Sequence, residues 1–130
     1  MKISLLILGS PYSSQSVQTA LRFATAAVQQ DHQIYRVFFY HDAINTGNQL
    51  IAAPQDEQQL PSAWSALAQQ HNIDLVLCIA SALKRGVLDV TEASRYEKPS
   101  SNLQDNFNLS GLGQWVDAML MSDRVVSFGP

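Results

Sequence analysis

Four short apolar runs, separated by segments of helical periodicity, most constrain what this chain can fold into. They are residues 3–8 (ISLLIL), 34–40 (IYRVFFY), 75–80 (LVLCIA) and 124–128 (RVVSF). Each is too short for a core helix and rich in β-branched or aromatic residues. Their continuity, in place of strict alternation, predicts strands covered on both faces. Between them, Val17, Ala20, Leu21, Ala24, Ala27 and Val28 share one helical face, with Ser14 or Ser16 placed to cap it. Leu60, Trp64, Leu67 and Ala68 form a second stripe with Pro61 in the first turn, and Leu112, Trp115, Val116, Met119 and Leu120 a third. A shorter helical turn is expected over residues 91–96. Strands alternating with helices imply right-handed crossovers, hence a three-layer α/β fold with a mainly parallel sheet and helices on both faces. No break in composition divides residues 1–130, so one domain is expected. Residues 41–59 and 99–113 fit neither period and read as long loops that serve a site or an interface.

Composition removes several classes of function. Apolar types make up 46% of the chain, enough for a packed core, while only 15% is charged. The net charge of −3 leaves no basic footprint, so direct binding to tRNA or other nucleic acid is not expected. The single cysteine, Cys78, excludes an internal disulfide and any zinc site needing two thiolates from one chain. The apolar run at the amino end stops at Gly9, Ser10 and Pro11, too soon for an export signal, and no stretch approaches a membrane span. A cytoplasmic protein with a reduced thiol is expected, with no membrane contact, metal or cofactor.

In open parallel sheets ligands bind beyond the carboxyl ends of the strands. This singles out residues 9–15, 41–47 and 78–86. The first of these is serine-rich and joins a strand to a helix, which suits either a capped connection or an anion site. It lacks the glycine spacing of a dinucleotide fingerprint and the lysine of a P-loop. Cys78 is open to two readings, since a free cysteine commonly behaves as a small core hydrophobe. Against that stand its place at a strand end, a helical turn starting after it, and the charges of Lys84 and Arg85, each of which would favour a thiolate. His41 falls on the same edge and is a candidate assistant; His32 and His71 follow helices and belong at the opposite end. The carboxylates are scattered and form no acid/base pair.

Residues 77–87 (LCIASALKRGV) resemble the cysteine segment of the DsrE-type sulfurtransferases. Phe38-Phe39-Tyr40, Ser100-Ser101-Asn102-Leu103-Gln104, Leu109-Ser110-Gly111-Leu112-Gly113 and Asp123-Arg124-Val125-Val126 extend the resemblance over nearly the whole chain. Ala43 and Gly47 depart from it, standing where Gly and Ala are usual. The resemblance implies a DsrE-like domain of flavodoxin-like topology and a persulfide relay with Cys78 as the catalytic sulfur carrier. It also implies a hetero-oligomer, expected to be a heterohexamer, with TusB- and TusC-like subunits. A TusA-like donor would supply the sulfur and a TusE-like acceptor would take it on to 2-thiouridine at tRNA wobble positions. Two other readings stay open: a flavin- or mononucleotide-binding module built on the serine loop, and a noncatalytic scaffold subunit of the same relay.

Overall fold

In the computed structural model, which describes all residues from Met1 to Pro130, the apolar runs become strands. They are β1 (Lys2–Ile7), β2 (Gln33–Phe39), β3 (Asp74–Cys78) and β5 (Arg124–Phe128). A further strand, β4 (Phe107–Ser110), lies inside the segment expected to be irregular. The helices are α1 (Ser16–Gln29), α2 (Leu60–His71), α3 (Ile79–Lys84), α4 (Val90–Arg95) and α5 (Gly113–Met121), and a 3-10 helix spans His41–Gly47. Ser14 serves α1 in part, its Oγ accepting from the Ser16 amide at 3.1 Å, although Gln15 holds the capping position. No helix is long and apolar enough to cross a membrane.

All four strand pairings are parallel, in the order β4-β3-β2-β1-β5. The three-layer parallel architecture is the one expected. Its winding differs from the 2-1-3-4-5 order of flavodoxin, because β3 and β4 add beyond β2 and only β5 joins on the far side of β1. A right-handed connection that reverses direction must pass over the other face. Hence α1 and α2 cover one side of the sheet, and α5, carrying the chain back from β4 to β5, covers the other. Aromatic packing marks the two sides. Phe39 meets Trp64 of α2 edge-on, with centroids 5.5 Å apart, and its neighbour Phe38 meets Trp115 of α5 at 6.1 Å. Phe38, Phe39 and Trp64 are fully buried, each contributing roughly 2–3 kcal/mol. Trp115 is only half-buried.

The alternation is interrupted once. Ile3 pairs with Ile34 but Ser4 pairs with Arg36, so Tyr35 is an extra residue in β2. Ile34 then faces α1 with Ile3, while Tyr35 and Arg36 both reach α5, through Asp117. Ser4, though fully buried, is satisfied by Ser122 just past α5, at 2.8 Å.

Candidate functional site

The end of β3 differs from its expected form. The apolar run continues to Ala80, but the strand stops at Cys78 and α3 begins at Ile79 with no intervening loop. Cys78 is thus the last strand residue and the N-cap of the helix (φ −57°, ψ 119°). Apolarity alone cannot separate a buried strand from the first turn of a packed helix. On its other side Cys78 pairs with Ser110 at the end of β4. The residue is 4% exposed, yet it lines a cavity of about 350 Å³ at the carboxyl edge of the sheet.

Every residue singled out around the cysteine meets there: His41, Lys84 and Arg85 line the same cavity, with Tyr40 and Ser81. Their roles divide. Arg85 donates from Nε to Asp42 Oδ1 at 2.7 Å and from Nη1 to the Ser81 carbonyl at 3.2 Å, so its charge is largely spent. Lys84 belongs to no ion pair and is the free cation of the cavity. His41 is exposed, has φ 51°, and stacks on Tyr40 with centroids 4.1 Å apart. Gly47 ends the 3-10 helix against β3, where an added Cβ would come within 2.5 Å of Leu77 Cδ1, so an alanine there requires the leucine side chain to shift. His32 and His71 sit at the far end of the sheet, His32 Nδ1 lying 3.0 Å from the amino terminus. No group of three or more His, Cys, Asp or Glu side chains converges to hold a metal.

The remaining wall, Gly111 and Leu112, comes from the approach to α5. It is braced by groups that sequence reading passed over. Arg36 is 9% exposed, and its guanidinium donates to Asp74 Oδ2 at 2.6 Å, Asp117 Oδ2 at 2.8 Å and the Gln114 carbonyl at 2.9 Å. Tyr35 Oη donates to the same Asp117 oxygen at 2.7 Å. The bonds from Tyr35 and then Arg36 hold the Asp117 carboxyl below the usual carboxylate range, and the bond to Asp117, seconded by burial, pushes the Tyr35 phenol up. Burial opposes the Arg36 charge, but its bonds to Asp74 and Asp117 outweigh this and raise it. A sequence signal existed: an arginine inside an apolar strand needs a buried partner.

Other hollows carry different chemistry. One of about 490 Å³ between α1 and α2 is lined by Leu21, Thr25, Leu67 and glutamines, with Arg22 its one cation. Another of about 600 Å³ lies between the start of α1 and the end of β5, beside the point where the winding reverses, and is lined by Ser13, Ser14, Ser16 and Thr19. It is where a mononucleotide would sit. There Ser14 and Ser16 hydroxyls bond each other at 3.2 Å and fill the space a side chain on Gly9 would need.

Comparison with known proteins decides the family. The DsrE/DsrF-like family profile matches residues 1–128. The chain belongs to the DsrE/TusD sulfurtransferase family. DsrE of Allochromatium vinosum is 44% identical over 129 residues, covering 99% of both chains. The sulfurtransferase TusD homolog of Vibrio vulnificus is 44% identical over 128 residues, 98% of both, and sulfurtransferase TusD of Salmonella dublin is 43% identical over 98% of this chain and its own full length. The crystal structure of the ychN protein from E. coli superposes with a TM-score of 0.78 over 98% of this chain and 99% of that one; at 23% identity it supports the fold alone. The family makes the chain a DsrE/TusD-type sulfurtransferase.

Proposed function

We propose that this chain, acting as one sulfurtransferase domain in the cytoplasm, carries sulfane sulfur as a persulfide on Cys78. The Cys78 thiolate attacks the terminal sulfur of a persulfidated donor. The donor S–S bond breaks, its thiolate leaves with the electron pair, and Cys78–S–SH forms without net oxidation. An acceptor thiolate then takes the terminal sulfur and Cys78 leaves as thiolate. The observation that carries this reading is the placement of the only cysteine at the junction of β3 and α3, in a cavity whose free cation is Lys84. Having no second thiol in the chain suits the relay, since a neighbouring cysteine would attack the inner sulfur, form a disulfide and expel the outer sulfur as hydrosulfide.

The donor we propose is TusA-like, the acceptor TusE-like, and the companions TusB- and TusC-like subunits in a hetero-oligomer, with 2-thiouridine in tRNA as the eventual product. Sulfurtransferases named TusD among its relatives support this assignment. The surface supports a protein partner: Leu112, Val116, Met119 and Leu120 of α5 and its approach are 43–79% exposed, and Leu112 also borders the cysteine cavity. Intact-mass measurement after incubation with persulfidated donor tests the reading. One added sulfur is expected on the wild type and none on Cys78→Ser. No added sulfur on the wild type would overturn the relay, and equal labelling of the variant would overturn the choice of residue.

A further inference from the structure

Cys78 is 4% exposed, yet a sulfur carrier must admit another protein's thiol. What covers it is therefore part of its function. Cys78 and α3 form one side of its cavity, and Tyr40 and His41, at the start of the 3-10 helix, another. Gly111 and Leu112 form the side made by the connection between the last residue of β4 and the first of α5. A Cβ added at Gly111 or Gly113 would meet nothing within 4 Å, so the backbone on either side of Leu112 faces open space. Leu112 is itself 52% exposed.

Two anchors hold this wall. At one end Ser110 is paired to Cys78 itself. At the other, Arg36 reaches from β2 to the Gln114 carbonyl in the first turn of α5 and to Asp117 one turn on, while its Nε is fixed by Asp74 of β3. Because Trp115 and Val116 amides bond back to the Leu112 carbonyl at 3.0 and 3.1 Å, the position of that first turn sets the position of Leu112. A planar guanidinium can hold all three acceptors at once with fixed angles; an ammonium cannot.

We propose that Arg36 is a positioning residue for sulfur transfer: through Gln114 and Asp117 it sets Leu112 as the adjustable wall of the Cys78 cavity, and so fixes the size of the group that can reach the thiol. This rests on Cys78 being the reactive sulfur. Arg36 touches no reacting atom.

The test measures alkylation of Cys78 in the full-length chain by iodoacetamide and by a bulky fluorescein maleimide, and takes the ratio of the two rates. A merely structural loss opens the whole chain to both reagents and leaves that ratio near the unfolded value. Arg36→Lys keeps the cation beside both carboxylates and so favours folding, and Leu112→Ala removes the wall itself. Each is expected to raise the bulky-reagent rate about fivefold or more in the folded chain while changing the iodoacetamide rate less than twofold. The double variant is expected to match Leu112→Ala alone, because the brace then has nothing left to position. An unchanged ratio in Arg36→Lys or in Leu112→Ala, or effects that multiply in the double variant, would overturn the proposal. Alkylation reads access alone. Loss of persulfide formation on the wild type with the ratio effect intact would therefore overturn the relay and leave the brace standing.

Discussion

Asn102 is the most informative residue to remove, because it ties together the two segments that defied periodicity. Its Oδ1 accepts from the Leu88 amide at 2.8 Å, and its Nδ2 donates to the Gly86 carbonyl at 3.0 Å and to Asn48 Oδ1 at 3.1 Å. One side chain thus joins the stretch before β4 to the turn after α3 and to the end of the 3-10 helix. Asn102→Ala would keep the main-chain bonds to Leu88 and Gln49 but lose all three of these. At roughly 0.5–1.5 kcal/mol for each, weighted down for the one nearest solvent, the expected loss is about 2–3 kcal/mol. With an unfolding entropy of about 2.1 cal/mol/K per residue, this lowers Tm by about 7–11 °C. Asn102→Asp separates donation from acceptance. It keeps an oxygen for the Leu88 amide but turns oxygen lone pairs towards Gly86 and Asn48, so at neutral pH it should be no more stable than the alanine variant. Urea unfolding followed by tryptophan fluorescence measures both. An alanine variant within about 0.5 kcal/mol of wild type, or an aspartate variant equal to wild type, would refute the assignment of Asn102 as the tie.

Other outcomes follow from the site and its surroundings. Lys84→Met should slow iodoacetamide reaction at Cys78 about two- to fivefold in low salt, the effect of one cation sharing the cavity in a largely aqueous dielectric, and 1 M salt should erase most of the difference. Because Asp117 titrates below the usual carboxylate range when folded, its contribution is present at neutral pH and is lost as pH falls through that lowered value. Asp117→Asn should accordingly flatten the acid limb of a stability–pH profile below about pH 4, and a limb unchanged from wild type would exclude Asp117 as its source. Leu120→Asp places a charge on the most exposed apolar position of α5 and should abolish co-purification with partner subunits while leaving Tm within about 1 kcal/mol equivalent of wild type.

The legible part of the fold was the part written in apolar periodicity. Three helical stripes were readable, and β1, β2 and β3 with them, because burial on both faces of the sheet demands runs of Val, Ile, Leu and Phe; β5 was readable from its β-branched and aromatic residues, although it is an edge strand with no buried residue and not covered on both faces as expected. β4 was not, since Phe107-Asn108-Leu109-Ser110 is an edge strand that buries only Phe107 well and leaves Asn108 to solvent. Two apolar residues in four carry too little signal beside asparagines and glycine. At the site, Cys78, Lys84, Arg85 and His41 were readable from the rule that strand ends face ligands. That Arg85 is taken by Asp42 while Lys84 is free depends on an approach between residues 43 positions apart, which no local pattern records. Gly111 and Leu112 reach the cysteine only because β4 exists, so missing the strand concealed the wall.

The extra residue in β2 also works as a reading frame. Up to Ile34 the strand is in one phase; from Arg36 it is in the other. Removing Tyr35 would make Ile34 and Arg36 consecutive, and ordinary alternation would keep them on the opposite faces they already hold. Removing Val37 would not: either the arginine would turn towards the dry side packed by α1 and α2, or the phenylalanines beyond it would exchange sides. A library of single-residue deletions would show folded protein vanishing at Val37 and persisting at Tyr35 and in the exposed stretch of residues 55–58.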